Sequence, residues 1–111
     1  MPEFDPCEIW MDTDHIRGLS HLEARILAAD WGWRAATAAR LPAARASDLV
    51  DLLRMELTGE MDRIHARGGT SDRGWFRRAF RSAFERVIAK MGPLSPAKVR
   101  SLRQSLQRSL G

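Results

Sequence analysis

The most regular hydrophobic pattern lies between residues 75 and 91, where apolar residues occur in pairs every fourth position. These positions are Trp75, Phe76, Ala79, Phe80, Ala83, Phe84, Val87, Ile88 and Met91. Because residues three and four apart share one face of an α-helix, the pattern predicts an amphipathic helix whose stripe belongs to the core. Thr70-Ser71-Asp72 offers its N-cap, and Gly92-Pro93 ends it.

A first helix is predicted from about residue 21 to about residue 40. Ser20 and Glu23 have the spacing of a capping box, which marks its start. Pro42 ends or kinks this helix. Four large residues, Leu22, Ile26, Leu27 and Trp33, are expected along its apolar side.

Two further helices are predicted from similar patterns. Ser47 is the candidate N-cap of a helix that ends at Gly68-Gly69 and that contains Gly59. Its apolar positions are Leu49, Leu53, Leu57, Met61 and Ile64. A last, short helix is predicted to start at Ser95-Pro96, with a narrow apolar face of Val99, Leu102, Leu106 and Leu110.

No stretch shows the alternation of a β-strand, so the predicted fold class is all-α, a small bundle of about four helices. Residues 1–19 lack helical periodicity and contain two prolines and a glycine, which predicts an irregular acidic N-terminal arm. Residues 20–111 are expected to form a single helical domain. This size is common for one folded domain.

Cysteine usage and the N-terminal sequence indicate a cytoplasmic protein. Cys7 is the only cysteine, so an internal disulfide is impossible. The first residues are acidic and lack the cationic and apolar regions of a secretory signal. The apolar runs are too short for a membrane-spanning helix, and no membrane partner is expected.

Charge is distributed unevenly along the chain. Residues 1–30 carry a net charge of −5, residues 31–67 carry +1 and residues 68–111 carry +8. A basic half of this kind attracts polyanions such as nucleic acid, or an acidic protein. The sixteen arginines and two lysines suit bidentate phosphate or carboxylate contacts, although a GC-rich bacterial genome would give the same bias.

The candidate binding residues are arginines on the last two predicted helices. At 100° per residue, Arg78 and Arg81 lie opposite the apolar stripe of the third helix, and Arg77 lies beside it. Arg100, Arg103 and Arg108 lie off the apolar face of the fourth helix. Together these six side chains are predicted to form a phosphate-binding surface; the alternative is a solvated face partly neutralised by the acidic arm.

Residues 27–41 allow two interpretations, a helix-turn-helix or one helix. Ala28, Gly32, Ala38 and Leu41 have the spacing that a helix-turn-helix needs for packing and for its turn. In that case Arg34, Thr37 and Arg40 would point toward base edges and phosphates. Against it, Trp33 is large for the position after the turn.

Metal-binding and catalytic patterns are incomplete. Asp12, Asp14 and Glu23 match three positions of a calcium loop, but Ile16 and Arg17 occupy positions that need an oxygen ligand and a glycine. A zinc site made from the single cysteine and the histidines at 15 and 21 has no common spacing. No catalytic triad can be identified, so we expect neither a metal, a cofactor nor an enzymatic activity.

The sequence therefore favours a nucleic-acid-binding accessory protein of a regulatory or packaging type, with DNA as the expected nucleic acid. It would bind phosphates through its basic C-terminal half. The alternative is an adaptor or inhibitor that binds an acidic protein or a partner that accepts its aromatic side chains. Four tryptophans in 111 residues support this second alternative, and homo-oligomerisation is compatible with both.

Overall fold

Four α-helices follow one another in residues 18–110, the part of the chain that the computed structural model describes, with the side chains of residues 109 and 110 left aside. They are α1 (His21–Ala38), α2 (Ala43–Ala66), α3 (Arg73–Lys90) and α4 (Pro96–Leu110). The described range contains no strand, which confirms the predicted all-α bundle. None of these helices has both the length and the apolar character needed to cross a membrane. The predicted arm falls mostly on residues 1–17, outside the described residues.

Ser20 is the N-cap of helix α1, as predicted, and the helix runs without a break from His21 to Ala38. The Ser20 hydroxyl accepts a hydrogen bond from the Glu23 amide at 3.1 Å and donates one to the Glu23 carboxylate at 3.2 Å. At the other end, the Leu41 amide donates to the Ala36 carbonyl, while Arg40 takes a left-handed φ of 56°. This is a Schellman ending with arginine where glycine is usual.

The buried face of α1 differs from the predicted one at three of the four large residues. Leu27 is buried, but Leu22, Ile26 and Trp33 are exposed, with 65%, 41% and 43% of their surfaces accessible. Besides Leu27 and Glu23, the buried residues of this helix are all small, namely Ala24, Ala28, Gly32, Ala35 and Ala36. Small residues let neighbouring helices approach closely, and the large ones are left on the opposite side.

Gly32 shows how close that approach is. A Cβ atom at this position would lie 3.1 Å from Cδ1 of Leu53 and 3.2 Å from Cγ2 of Val50, both on α2. Such distances are shorter than ordinary van der Waals contact between carbon atoms. The glycine is therefore a packing residue inside a continuous helix.

The first residue of α2 is Ala43, and its N-cap is Pro42. The predicted N-cap, Ser47, therefore lies inside the helix. Proline fixes a φ suited to the position before a helix, and the alanines that follow are strong helix formers. At the other end, the Gly69 amide donates to the Ile64 carbonyl at 2.8 Å, and Gly68 has a φ of 76°. The predicted ending at the glycine pair is confirmed.

Helix α3 contributes eight buried residues to the core. Its N-cap is Asp72, whose carboxylate accepts from the Trp75 amide at 2.8 Å. All nine apolar positions predicted for this helix are buried. Trp31 of α1 packs edge-on against Phe76 and Phe80, with ring centroids 4.9 Å and 5.1 Å away. The aromatic stripe of α3 thus binds α1 as well as α2.

Helix α4 packs chiefly against α1. Leu102 and Leu106 are buried and Val99 is partly buried, as the narrow apolar face predicted. The amide of Lys98 donates to the Ser95 hydroxyl at 3.2 Å, which confirms the predicted start. With α4 on one side of α1, the arginines of α3 and α4 are left on the outside of the bundle.

Candidate nucleic-acid interface

The outer face of α3 carries three exposed arginines, Arg77, Arg78 and Arg81. They are exposed because the opposite side of the helix is occupied by the aromatic stripe, which is fixed in the core. Residues 77, 78 and 81 fall within about a third of a turn of each other when 100° is taken per residue. The predicted orientation of this helix is correct.

Helix α4 adds three more exposed arginines, Arg100, Arg103 and Arg108. Arg103 is held by α3. Its guanidinium donates to both oxygens of Glu85, with distances of 3.1 Å and 3.0 Å from Nε and 2.8 Å from Nη2. The hydrogen bonds from Arg103 to this carboxylate raise the pKa of the guanidinium. An arginine bound in this way is a poorer phosphate ligand than its neighbours.

The two helices meet in a shallow groove of about 240 Å³. Its lining residues are Arg81, Glu85, Arg103, Leu106 and Gln107. One arginine from each helix, Arg81 of α3 and Arg103 of α4, therefore lines the same groove. A second shallow region next to it is lined by Gln104, Gln107 and Arg108, all on α4.

Within residues 18–110, no carboxylate forms an ion pair with Arg77, Arg78, Arg100 or Arg108. Guanidinium groups that are exposed and have no acidic partner can offer their planar set of N–H donors to an incoming phosphate. We call Arg77, Arg78, Arg81, Arg100 and Arg108, together with the Arg103–Glu85 pair, the α3–α4 basic face.

Other basic residues of the C-terminal half are used inside the fold. The Arg86 guanidinium donates to Glu56 at 3.0 Å and to Glu60 at 3.3 Å, and Lys90 also donates to Glu56. Lys98 donates to backbone carbonyls at the end of α1. The charge of +8 counted along the sequence therefore overstates the charge available to a partner.

The helix-turn-helix interpretation of residues 27–41 is excluded by the continuous α1. Gly32 lies inside the helix and makes no turn. Arg34 is paired with Asp30 at 3.2 Å, and Thr37 is exposed near the end of the same helix. Arg40 follows α1 in the Schellman ending. These three residues do not form a recognition helix of their own, and the one-helix interpretation is the correct one.

The residues considered as metal ligands fall mainly on positions 7–15, outside the described residues. Of the others, His21 is 2.7 Å from an Asp62 oxygen, and Glu23 bonds to Ser20. Across residues 18–110, no three side chains of the histidine, cysteine or carboxylate type come together as a metal site.

The comparisons with known proteins do not assign the chain to a family. No family model, no curated protein and no solved structure matches the chain.

Proposed function

We propose that this protein binds nucleic acid, with DNA as the first candidate, through phosphate contacts from the α3–α4 basic face. It acts as a cytoplasmic accessory protein of a regulatory or packaging type and performs no catalytic step. The observation that supports the proposal is the common exposure of Arg77, Arg78 and Arg81 on one side of α3, beside the arginines of α4.

The chemistry of the face favours phosphate over base recognition. Exposed arginines on two helices that share a shallow groove can follow a sugar-phosphate backbone, and such contacts carry no sequence information. Residues 27–38 belong to one continuous helix and do not form a helix-turn-helix that could read bases. Binding should therefore depend on salt much more than on nucleotide sequence.

The experiment is fluorescence anisotropy of the full chain with a random-sequence duplex at about 50 mM and about 200 mM salt. Replacing Arg78 and Arg81 with glutamine should weaken binding to every sequence alike. The slope of log affinity against log salt should fall by about one unit for each phosphate that the variant no longer binds. Both side chains are exposed, so folding should be unaffected.

A matched control separates this face from net charge alone. Arg25 on α1 and Arg67 at the end of α2 are exposed and have no ion pair within residues 18–110, and their replacement by glutamine removes the same two charges. This variant should bind almost as well as the unchanged protein. Equal weakening in both variants, or no binding at about 50 mM salt, would contradict the proposal.

A second candidate function is that of an adaptor or inhibitor acting through a protein interface. The exposed Leu22, Ile26 and Trp33 favour it, since aromatic and large apolar residues are enriched at protein contacts. An apolar interface responds little to salt, whereas phosphate binding weakens steeply with it. The salt dependence of any partner's binding therefore distinguishes the two functions.

A further inference from the structure

An apolar stripe runs along α1 on the side opposite the core. It consists of Leu22, Ile26, Ala29 and Trp33, of which the three large residues are exposed. Met55 of α2, 69% exposed, is the other large apolar side chain that the described chain leaves in solvent. α1 is thus apolar on two opposite faces, and only one of them is covered within the described residues.

The spacing of the stripe is that of a helix-packing seam. Its members are separated by four, three and four residues, which is the alternation of the two apolar positions in a coiled-coil heptad. A face with this spacing accepts another helix along its length more readily than a small ligand or an extended strand.

The stripe is also symmetric about its own midpoint. If a second α1 is laid against it in the opposite direction, Leu22 lies across from Trp33 of the second copy, and Ile26 lies across from Ala29 of the second copy. Each large residue of the central pair then meets a small one. A surface that complements itself when turned end for end is what a two-fold symmetric dimer requires.

The charges beside the stripe do not oppose a second copy as its occupant. The adjoining groove, of about 630 Å³, is lined by His21, Arg25, Asp51, Arg54, Met55, Thr58 and Asp62. Its two arginines and two aspartates sum to zero, so this part of the surface adds no repulsion between two copies. The residues before Gly18 carry five acids against Arg17, and a balanced surface gives that acidic segment no electrostatic attraction.

We propose that the protein forms a two-fold symmetric homodimer through an antiparallel pairing of α1 with α1 of a second copy. The seam consists of residues 22, 26, 29 and 33, with Met55 beside it. This inference does not depend on nucleic-acid binding, because the seam shares no residue with the α3–α4 basic face.

Sedimentation equilibrium of the full chain provides the first test. We expect twice the chain mass of 12.6 kDa at concentrations of about 10–100 µM, since so short a seam gives a small interface. Ile26→Glu should produce a monomer with an unchanged helical circular dichroism spectrum. Ala97→Glu, which places the same charge on an exposed position of α4, should remain dimeric.

Cysteine cross-linking tests the antiparallel direction. In a Cys7→Ser background, Leu22→Cys and Trp33→Cys proteins should form disulfide-linked dimers when mixed, and neither should do so alone. Within one antiparallel pair the two copies of residue 22 are about 16 Å apart along the axis, beyond the reach of a disulfide.

Three outcomes would overturn the proposal. They are a monomeric full chain at about 100 µM, a dimer that survives Ile26→Glu, and cross-linking of each cysteine protein with itself but not with the other. In the first case the stripe is covered by residues 1–17 or by another protein.

Discussion

Ser71 and Leu19 hold each other through a pair of reciprocal hydrogen bonds. The Leu19 amide donates to the Ser71 carbonyl at 2.7 Å, and the buried Ser71 hydroxyl donates to the Leu19 carbonyl at 3.0 Å. Since that hydroxyl has one proton, it must accept from Nε2 of His65, which lies 2.8 Å away. The chain entering α1 is thereby attached to the loop between α2 and α3.

We expect Ser71→Ala to lower the free energy of unfolding by about 1–3 kcal/mol. The variant loses the buried hydrogen bond from the Ser71 hydroxyl to the Leu19 carbonyl. Urea denaturation measures the change. Ser47→Ala is the control: Ser47 is exposed inside α2 and caps nothing, so its replacement should be neutral or slightly stabilising. A destabilisation of similar size in the control would contradict the assignment of α2's start.

Two glycines inside helices should respond to alanine in opposite ways. Around Gly59, a Cβ atom would meet nothing closer than the Arg63 guanidinium at 3.7 Å, so Gly59→Ala should raise stability by about 0.5–1 kcal/mol. At Gly32 the same gain in helix propensity is opposed by contact with Leu53 and Val50, and overpacking costs about 1–3 kcal/mol.

Gly32→Ala should therefore be less stable than the unchanged protein, while Gly59→Ala is more stable. Thermal or urea unfolding of the two variants side by side gives the comparison. Equal stabilisation by both would show that α1 and α2 can separate at Gly32 at no cost in stability.

Glu56 should make stability depend on pH. The hydrogen bond from the Lys90 ammonium group lowers the pKa of this carboxyl group below its ordinary value of 4.5, and Arg86 adds to that effect against the burial that raises it. A carboxyl group with a lower pKa in the folded state stabilises the fold above its unfolded pKa. That contribution disappears as the pH falls through the folded pKa.

Glu56→Gln should accordingly be less stable than the unchanged protein at about pH 6, and the difference should shrink by about pH 3. Asp48→Asn is the matched control, since Asp48 is an exposed carboxylate of the same helix without an ion pair in the described chain. A difference for Glu56→Gln that stays constant across this range would contradict the role of the ion pairs.

The sequence predicted the helices better than their faces. The stripe of α3 was located correctly because its large apolar residues lie on one side and arginines on the other. For α1 the same reasoning placed Leu22, Ile26 and Trp33 in the core. Large apolar side chains do not mark the buried face of α1, because close packing at Gly32 requires small residues there.

The candidate basic face was also predicted in part. Exposure of Arg77, Arg78 and Arg81 follows from helical periodicity alone. The pairing of Arg103 with Glu85 and of Arg86 with Glu56 joins residues 18 and 30 positions apart, and no local pattern indicates such pairs. Which arginines remain available to a partner could therefore be established only from the folded chain.

Lys98 links the end of α1 to the start of α4. Its ammonium group donates to the carbonyls of Ala39 at 2.9 Å and of Arg40 at 3.0 Å, across 58 or more positions of sequence. Arg40 holds a left-handed conformation that a residue with a side chain adopts at an energetic cost. The last turn of α1 is thus tied to a residue that is distant in sequence, so local opening of this turn must break the Lys98 hydrogen bonds as well.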